Sequence, residues 1–74
     1  MNVYTVTVEH CNAEHEVTAE HGVACISKFY GEHPEYFNDD VTYLILKRVA
    51  SGVRIRYTLS GRGSRHKVEV VGML

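Results

Sequence analysis

Several things are scarce in this chain of 74 residues. It has only two cysteines, Cys11 and Cys25, far below the density of a disulfide-stapled secreted scaffold. Reduced thiols are expected, with one 11–25 bridge as the geometric alternative. No stretch approaches the roughly 18 apolar residues of a membrane span. The opening Met-Asn-Val-Tyr-Thr-Val-Thr-Val has neither the basic leader nor the unbroken apolar run of a signal peptide. The expectation is a cytoplasmic protein with no membrane partner. No repeat, low-complexity tract or linker divides the chain, so residues 1–74 read as a single small α+β domain. A chain this short buries only about 60 to 65% of the surface its unfolded form exposes, which predicts no deep pocket.

Each half of the chain also lacks charge of one sign. Residues 1–40 carry eight carboxylates (Glu9, Glu14, Glu16, Glu20, Glu32, Glu35, Asp39, Asp40) against Lys28 alone. Residues 41–74 carry seven bases (Lys47, Arg48, Arg54, Arg56, Arg62, Arg65, Lys67) against Glu69 alone. Formal charges of −7 and +6 therefore hide inside a net charge of −1. Such sorting points either to a charged partner or to a self-complementary fold.

The hydropathy pattern divides the chain into six elements. Residues 2–9 alternate, with Tyr4, Val6 and Val8 on one face and Val3, Thr5, Thr7 and Glu9 on the other. After a loop at 10–13, Glu14, Glu16 and Thr18 alternate with His15, Val17 and Ala19 in a second strand. From Gly22 the period changes: Val23, Ile26, Phe29 or Tyr30, and His33 recur at helical steps. Glu20 suits the dipole at the helix start, and Pro34 predicts an end near residue 32 or 33. The connection 34–40 is polar, with Tyr36 and Phe37 tucked beneath it. Val41–Arg48 is apolar on both faces and predicts a central strand covered on both sides. Val53, Ile55, Tyr57 and Leu59 alternate with Arg54, Arg56, Thr58 and Ser60. A last strand over 66–71 sets Val68 and Val70 against Lys67, Glu69 and Val71. The predicted fold class is α+β: an antiparallel sheet of about five strands in the order β-β-α-β-β-β, with one helix on one face.

Candidate chemistry is sparse. Cys11-x3-His15 with His21-x3-Cys25 has the ligand types of a zinc site, but a strand over 15–20 would hold His15 and His21 roughly 20 Å apart. No metal is expected on that spacing. Adjacent His10 and Cys11 point to opposite faces of a strand, and no nucleophile with a base and an orienter is legible. Cys25 would be activated if it sat in the first helical turn, though a buried, inert thiol is the commoner case. Ser60-Gly61-Arg62-Gly63-Ser64-Arg65 resembles a phosphate cradle in composition, without dinucleotide-binding or P-loop spacing; glycines at positive φ in a hairpin turn explain the same residues. The expectation is a non-enzymatic domain without a cofactor.

Binding is the better-supported class. Arg54, Arg56 and Lys67 are predicted on outward faces of neighbouring strands, with Arg62 and Arg65 in the joining loop, as one contiguous basic patch. Glu35, Asp39 and Asp40 supply a second, acidic contact. Two readings follow. The first is a protein-interaction module, a regulator or inhibitor occupying a surface of a larger protein or protein–nucleic acid complex by complementary charge and shape. Short chains of this kind are often encoded by bacteriophages, including inhibitors of host defence systems such as CRISPR-Cas. The second is a nucleic-acid-binding regulator using the basic strands. A homodimer paired through the opposite charges is a third. Glu9, Glu14 and Glu16 share the open face, so cross-strand pairing would neutralise part of the basic patch.

Overall fold

β1 (Asn2–Val8) and β2 (Ala13–Ala19) form the expected hairpin in the computed structural model, which describes residues 1–74. Asn12, at φ 56°, takes the left-handed position that closes their turn, which asparagine tolerates better than most residues. Tyr4, Val6, Val8, Val17 and Ala19 are buried on one face, and Glu14, Glu16 and Thr18 are exposed on the other.

α1 (Gly22–Glu32) stops where Pro34 requires, with the His33 N–H donating to the Phe29 carbonyl at 2.9 Å. His21, rather than Glu20, serves its start: His21 Nδ1 accepts the Ala24 N–H at 3.2 Å. The buried stripe is Cys25, Ile26 and Phe29. Val23, expected on that stripe, is exposed, because it lies a quarter turn away from the row formed by Gly22, Cys25, Ile26 and Phe29. Both cysteines are free. Burial pushes the Cys25 thiol up to about 11, the reverse of activation.

β3 (Val41–Arg48), β4 (Arg54–Ser60) and β5 (Lys67–Met73) complete one antiparallel sheet in the order β2-β1-β3-β4-β5. β3 is central, as expected, but it is not covered on both sides. Thr42, Leu44 and Leu46 are buried beneath the helix layer, whereas Val41 and Tyr43 are 43% and 41% exposed on the opposite face. One helix of 11 residues, about 16 Å long, covers one face only. β5 also runs further than predicted, to Met73. Arg56 pairs with Gly72 and Tyr57 with Val70, so Val71 is a bulge without an opposite residue, and strict alternation fails there.

The two ends of the covered layer are finished differently. At one end Phe29 gathers rings from His15, His33, Tyr36 and Phe37 at centroid distances of 4.9 to 5.9 Å. Phe37 is buried and Tyr36 half-buried, as the sequence pattern predicts. At the other end Gly22 lies against Tyr57: a Cβ there would stand 2.9 Å from Tyr57 Cζ and closer still to its hydroxyl. Only glycine allows the helix to start so near the sheet.

Candidate interaction surface on the open sheet face

The open face is assembled by alternation, which sends every second residue of each strand away from α1. Its registers are Glu14–Thr7–Ile45–Arg56 and Glu16–Thr5–Lys47–Arg54. Acids therefore stand on β2, hydroxyls and one isoleucine make the floor, and bases stand on β3 and β4. Neighbouring strands are about 4.8 Å apart, so Glu16 and Lys47, separated by β1, lie about 10 Å apart and do not pair. A shallow depression of about 520 Å³ lies over Thr5, Thr7, Ile45 and Lys47, between Glu14 and Arg54.

One pair does cross the face. Arg56 forks the Glu9 carboxylate, with Nε at 2.7 Å and Nη2 at 3.1 Å, and its guanidinium lies 4.4 Å from the centre of the Tyr43 ring. The Glu9 hydrogen bond raises the Arg56 pKa further above its ordinary value, and the guanidinium stays charged. Asp39 joins Glu9, His10, Val41, Tyr43 and Arg56 around a second depression of about 330 Å³. Two of the expected contact residues, Asp39 and Arg56, are thus brought together.

The others are dispersed, and the contiguous basic patch is corrected. Lys67 shares the open face but stands opposite Ser60, six residues and roughly 20 Å along β4 from Arg54. Its own partner is Glu69 at 3.6 Å. Arg62 leaves the face altogether. It donates to the carbonyls of Phe37 and Asn38 at 3.4 and 3.2 Å, where it braces the acidic connection. Arg65 is exposed in a short 3-10 turn over Gly63–Arg65. Gly61 and Gly63 take positive φ, 77° and 58°, in keeping with the turn reading of this loop. Glu35 is exposed, 3.5 Å from His33 Nδ1, and Asp40 is exposed just before β3. Glu9, Glu14, Glu16 and Glu69 balance Lys47, Arg54, Arg56 and Lys67, so the face carries order rather than net charge.

Three features escaped sequence reasoning. Lys47 belongs with Arg54, and the register that joins them is not encoded in either strand alone. Tyr43 is an exposed aromatic on a strand that reads as covered. Ser27 Oγ and His66 Nε2 lie 3.1 Å apart, with His66 Nδ1 at 2.7 Å from the Gly63 carbonyl. That pair ties α1 to the β4–β5 loop, and neither residue lines a cavity.

Comparison with protein-family models, curated proteins and solved structures finds no match to this chain. No helix is long and apolar enough to cross a membrane.

Proposed function

We propose that this chain is a non-enzymatic protein-interaction module that docks its open sheet face onto a larger protein, alone or within a protein–nucleic acid complex, and regulates or inhibits it by occupancy. One observation carries the reading: Glu14 and Glu16 on β2 face Lys47 on β3, about 10 Å away, and Arg54 on β4, about 14 Å away, and none of the four is in an ion pair. A partner bearing a basic and an acidic row at that spacing would satisfy both, and charge order of this kind selects partner and register more than it adds affinity. Tyr43 and Val41 supply exposed apolar surface beside the rows. The class expected from size, a phage-encoded inhibitor of a host defence system, is one instance of this reading.

The nucleic-acid reading is weaker on the same face. Arg56 is held by Glu9, Lys67 by Glu69 and Arg62 by backbone carbonyls, and the acids of β2 beside the unpaired Lys47 and Arg54 would repel a phosphate backbone laid across the face. A two-part experiment tests the proposal. Tagged wild type and the charge-reversed Lys47→Glu/Arg54→Glu protein are used for quantitative capture from the native cells, and both are titrated with random duplex DNA at low salt. Proteins retained by wild type and lost by the variant support docking through this face. Identical protein sets, or duplex binding that falls steeply with salt and vanishes in the variant, would overturn it. Light scattering at high concentration distinguishes the third outcome, a face-to-face homodimer.

A further inference from the structure

On the other side of the sheet, where α1 begins, the covered layer does not close. An open recess of about 310 Å³ lies between Gly22 and the β3–β4 end of the sheet. Its walls are Tyr4, Leu46, Val53, Ile55 and Tyr57, and its remaining lining is Gly22, Arg48 and Ser51. None of these residues is acidic.

The polar groups that reach this cavity are donors. Tyr57 is only 5% exposed as a residue, and its hydroxyl, which makes no hydrogen bond within the protein, is the part of the side chain left open toward the cavity. Burial raises the Tyr57 pKa, which keeps that O–H a donor at neutral pH. Arg48 gives one Nη2 hydrogen to Asn2 Oδ1 at 2.7 Å and keeps the rest of its guanidinium free. Ser51 Oγ accepts the Val53 N–H at 3.3 Å, so its own hydrogen is available. The start of α1 adds the positive end of its dipole. A largely apolar recess with a phenol O–H open to it, a guanidinium with donors to spare and no carboxylate favours an anion with an apolar body.

We propose that this cavity binds a small monocarboxylic acid with a branched or aromatic body. The carboxylate would accept from Tyr57 and Arg48 while the body packs on Leu46, Val53 and Ile55. At about 30 Å³ per water-sized group, the space suits about ten non-hydrogen atoms. The site is independent of the open face, because Leu46, Arg48, Ile55 and Tyr57 project to the helix side of the sheet.

The probes are 3-phenylpropionate, 4-methylpentanoate and the neutral 3-phenylpropanamide, titrated into the isotopically labelled chain and followed by amide shifts. Saturable shifts at Gly22, Ser51 and Val53 are expected with both acids, and affinity about tenfold lower for the amide. Tyr57→Phe, which keeps the ring, and Arg48→Gln should each weaken the acids by about tenfold. Should Tyr57→Phe disturb the spectrum away from the cavity, Arg48→Gln and the acid–amide comparison decide the matter. No saturable shift at those amides up to about 10 mM, or equal affinity for acid and amide, overturns the proposal. A short peptide ending in phenylalanine that binds more tightly than 3-phenylpropionate also overturns it, by moving the site to a partner's chain terminus.

Discussion

The same strands make two faces that treat polar groups in opposite ways. On the covered face a single hydroxyl, Thr42 Oγ1, is buried without a hydrogen-bond partner, and the rest is a continuous apolar cluster from Tyr4 to Leu59. On the open face charges stand in rows, and only Glu9 and Arg56 meet across strands. The covered face sets whether the chain folds, and the open face sets what it meets. Stability should therefore respond steeply to small changes under α1 and weakly to whole charges on the other side.

Phe29→Ala breaks that contrast most severely. Phe29 is fully buried and is the ring around which His15, His33, Tyr36 and Phe37 gather. Its loss should cost about 3 to 5 kcal/mol, as much as a core of this size supplies. Urea melts should show loss of the cooperative transition in water or close to it. Tyr43→Ala, on the open face, should keep that transition and serves as the control.

Alkaline pH is the next largest lever. The Cys25 thiol is raised from its ordinary 9.0 to about 11 by burial, so the folded chain holds its proton more tightly than the unfolded one. The stability this confers is fully present below pH 9 and is lost as pH rises from about 9 to about 11. The slope approaches about 1.4 kcal/mol per pH unit. Tyr57, raised by burial from 10.0, adds a further loss at higher pH. Denaturant midpoints across that window should fall more steeply for wild type than for Cys25→Ala, which retains only the tyrosine part. Equal slopes would mean that the thiol meets solvent.

Thr42→Val sharpens the comparison in the stabilising direction. The substitution keeps the β-branched shape and removes the one orphaned hydroxyl beneath the helix. A gain of about 1 kcal/mol is expected, seen as a higher melting temperature of a few degrees. A loss instead would show that a bound water satisfies Thr42.

What the chain reveals before folding follows the same division. Alternation in β1, β2 and β4 places Tyr4, Val6, Val8, Val17, Tyr57 and Leu59 on the covered face correctly, because burial on one side of a strand imposes a period of two. Helical steps and Pro34 locate α1 for equally local reasons. Strand order is not local, and without it Lys47 cannot be grouped with Arg54 or Arg62 separated from them. Coverage misleads at β3, where Tyr43 and Ile45 look like core residues because an apolar side chain carries no mark of whether a second layer exists. Arg62 misleads for a related reason: the turns at Gly61 and Gly63 carry it to the carbonyls of Phe37 and Asn38, a contact between segments 25 residues apart in the chain. The cavity is the least legible feature. Tyr57 reads as core in its strand, and it is core; only the approach of Gly22 reveals that its hydroxyl ends in open space.

The smallest effect bears most directly on why the two halves of the chain are oppositely charged. Glu9 is the only acid of the first half whose side chain pairs with a base of the second, through Arg56. Were charge sorting chiefly a folding device, this pair would matter for stability, and other acids of β2 would have been set within reach of Lys47 and Arg54. They stand about two strands away instead. Glu9→Gln should therefore lower the melting temperature by no more than a few degrees at low salt. The difference should shrink in molar salt, which screens half-exposed charges. A large loss that persists in molar salt would reverse the assignment. The fork and the Arg56–Tyr43 stack would then be part of what holds β1, β3 and β4 in register, and the sorted charges would belong to folding. A small, salt-sensitive loss leaves the rows of β2 and β3–β4 with no internal task, which is the condition for their serving a partner.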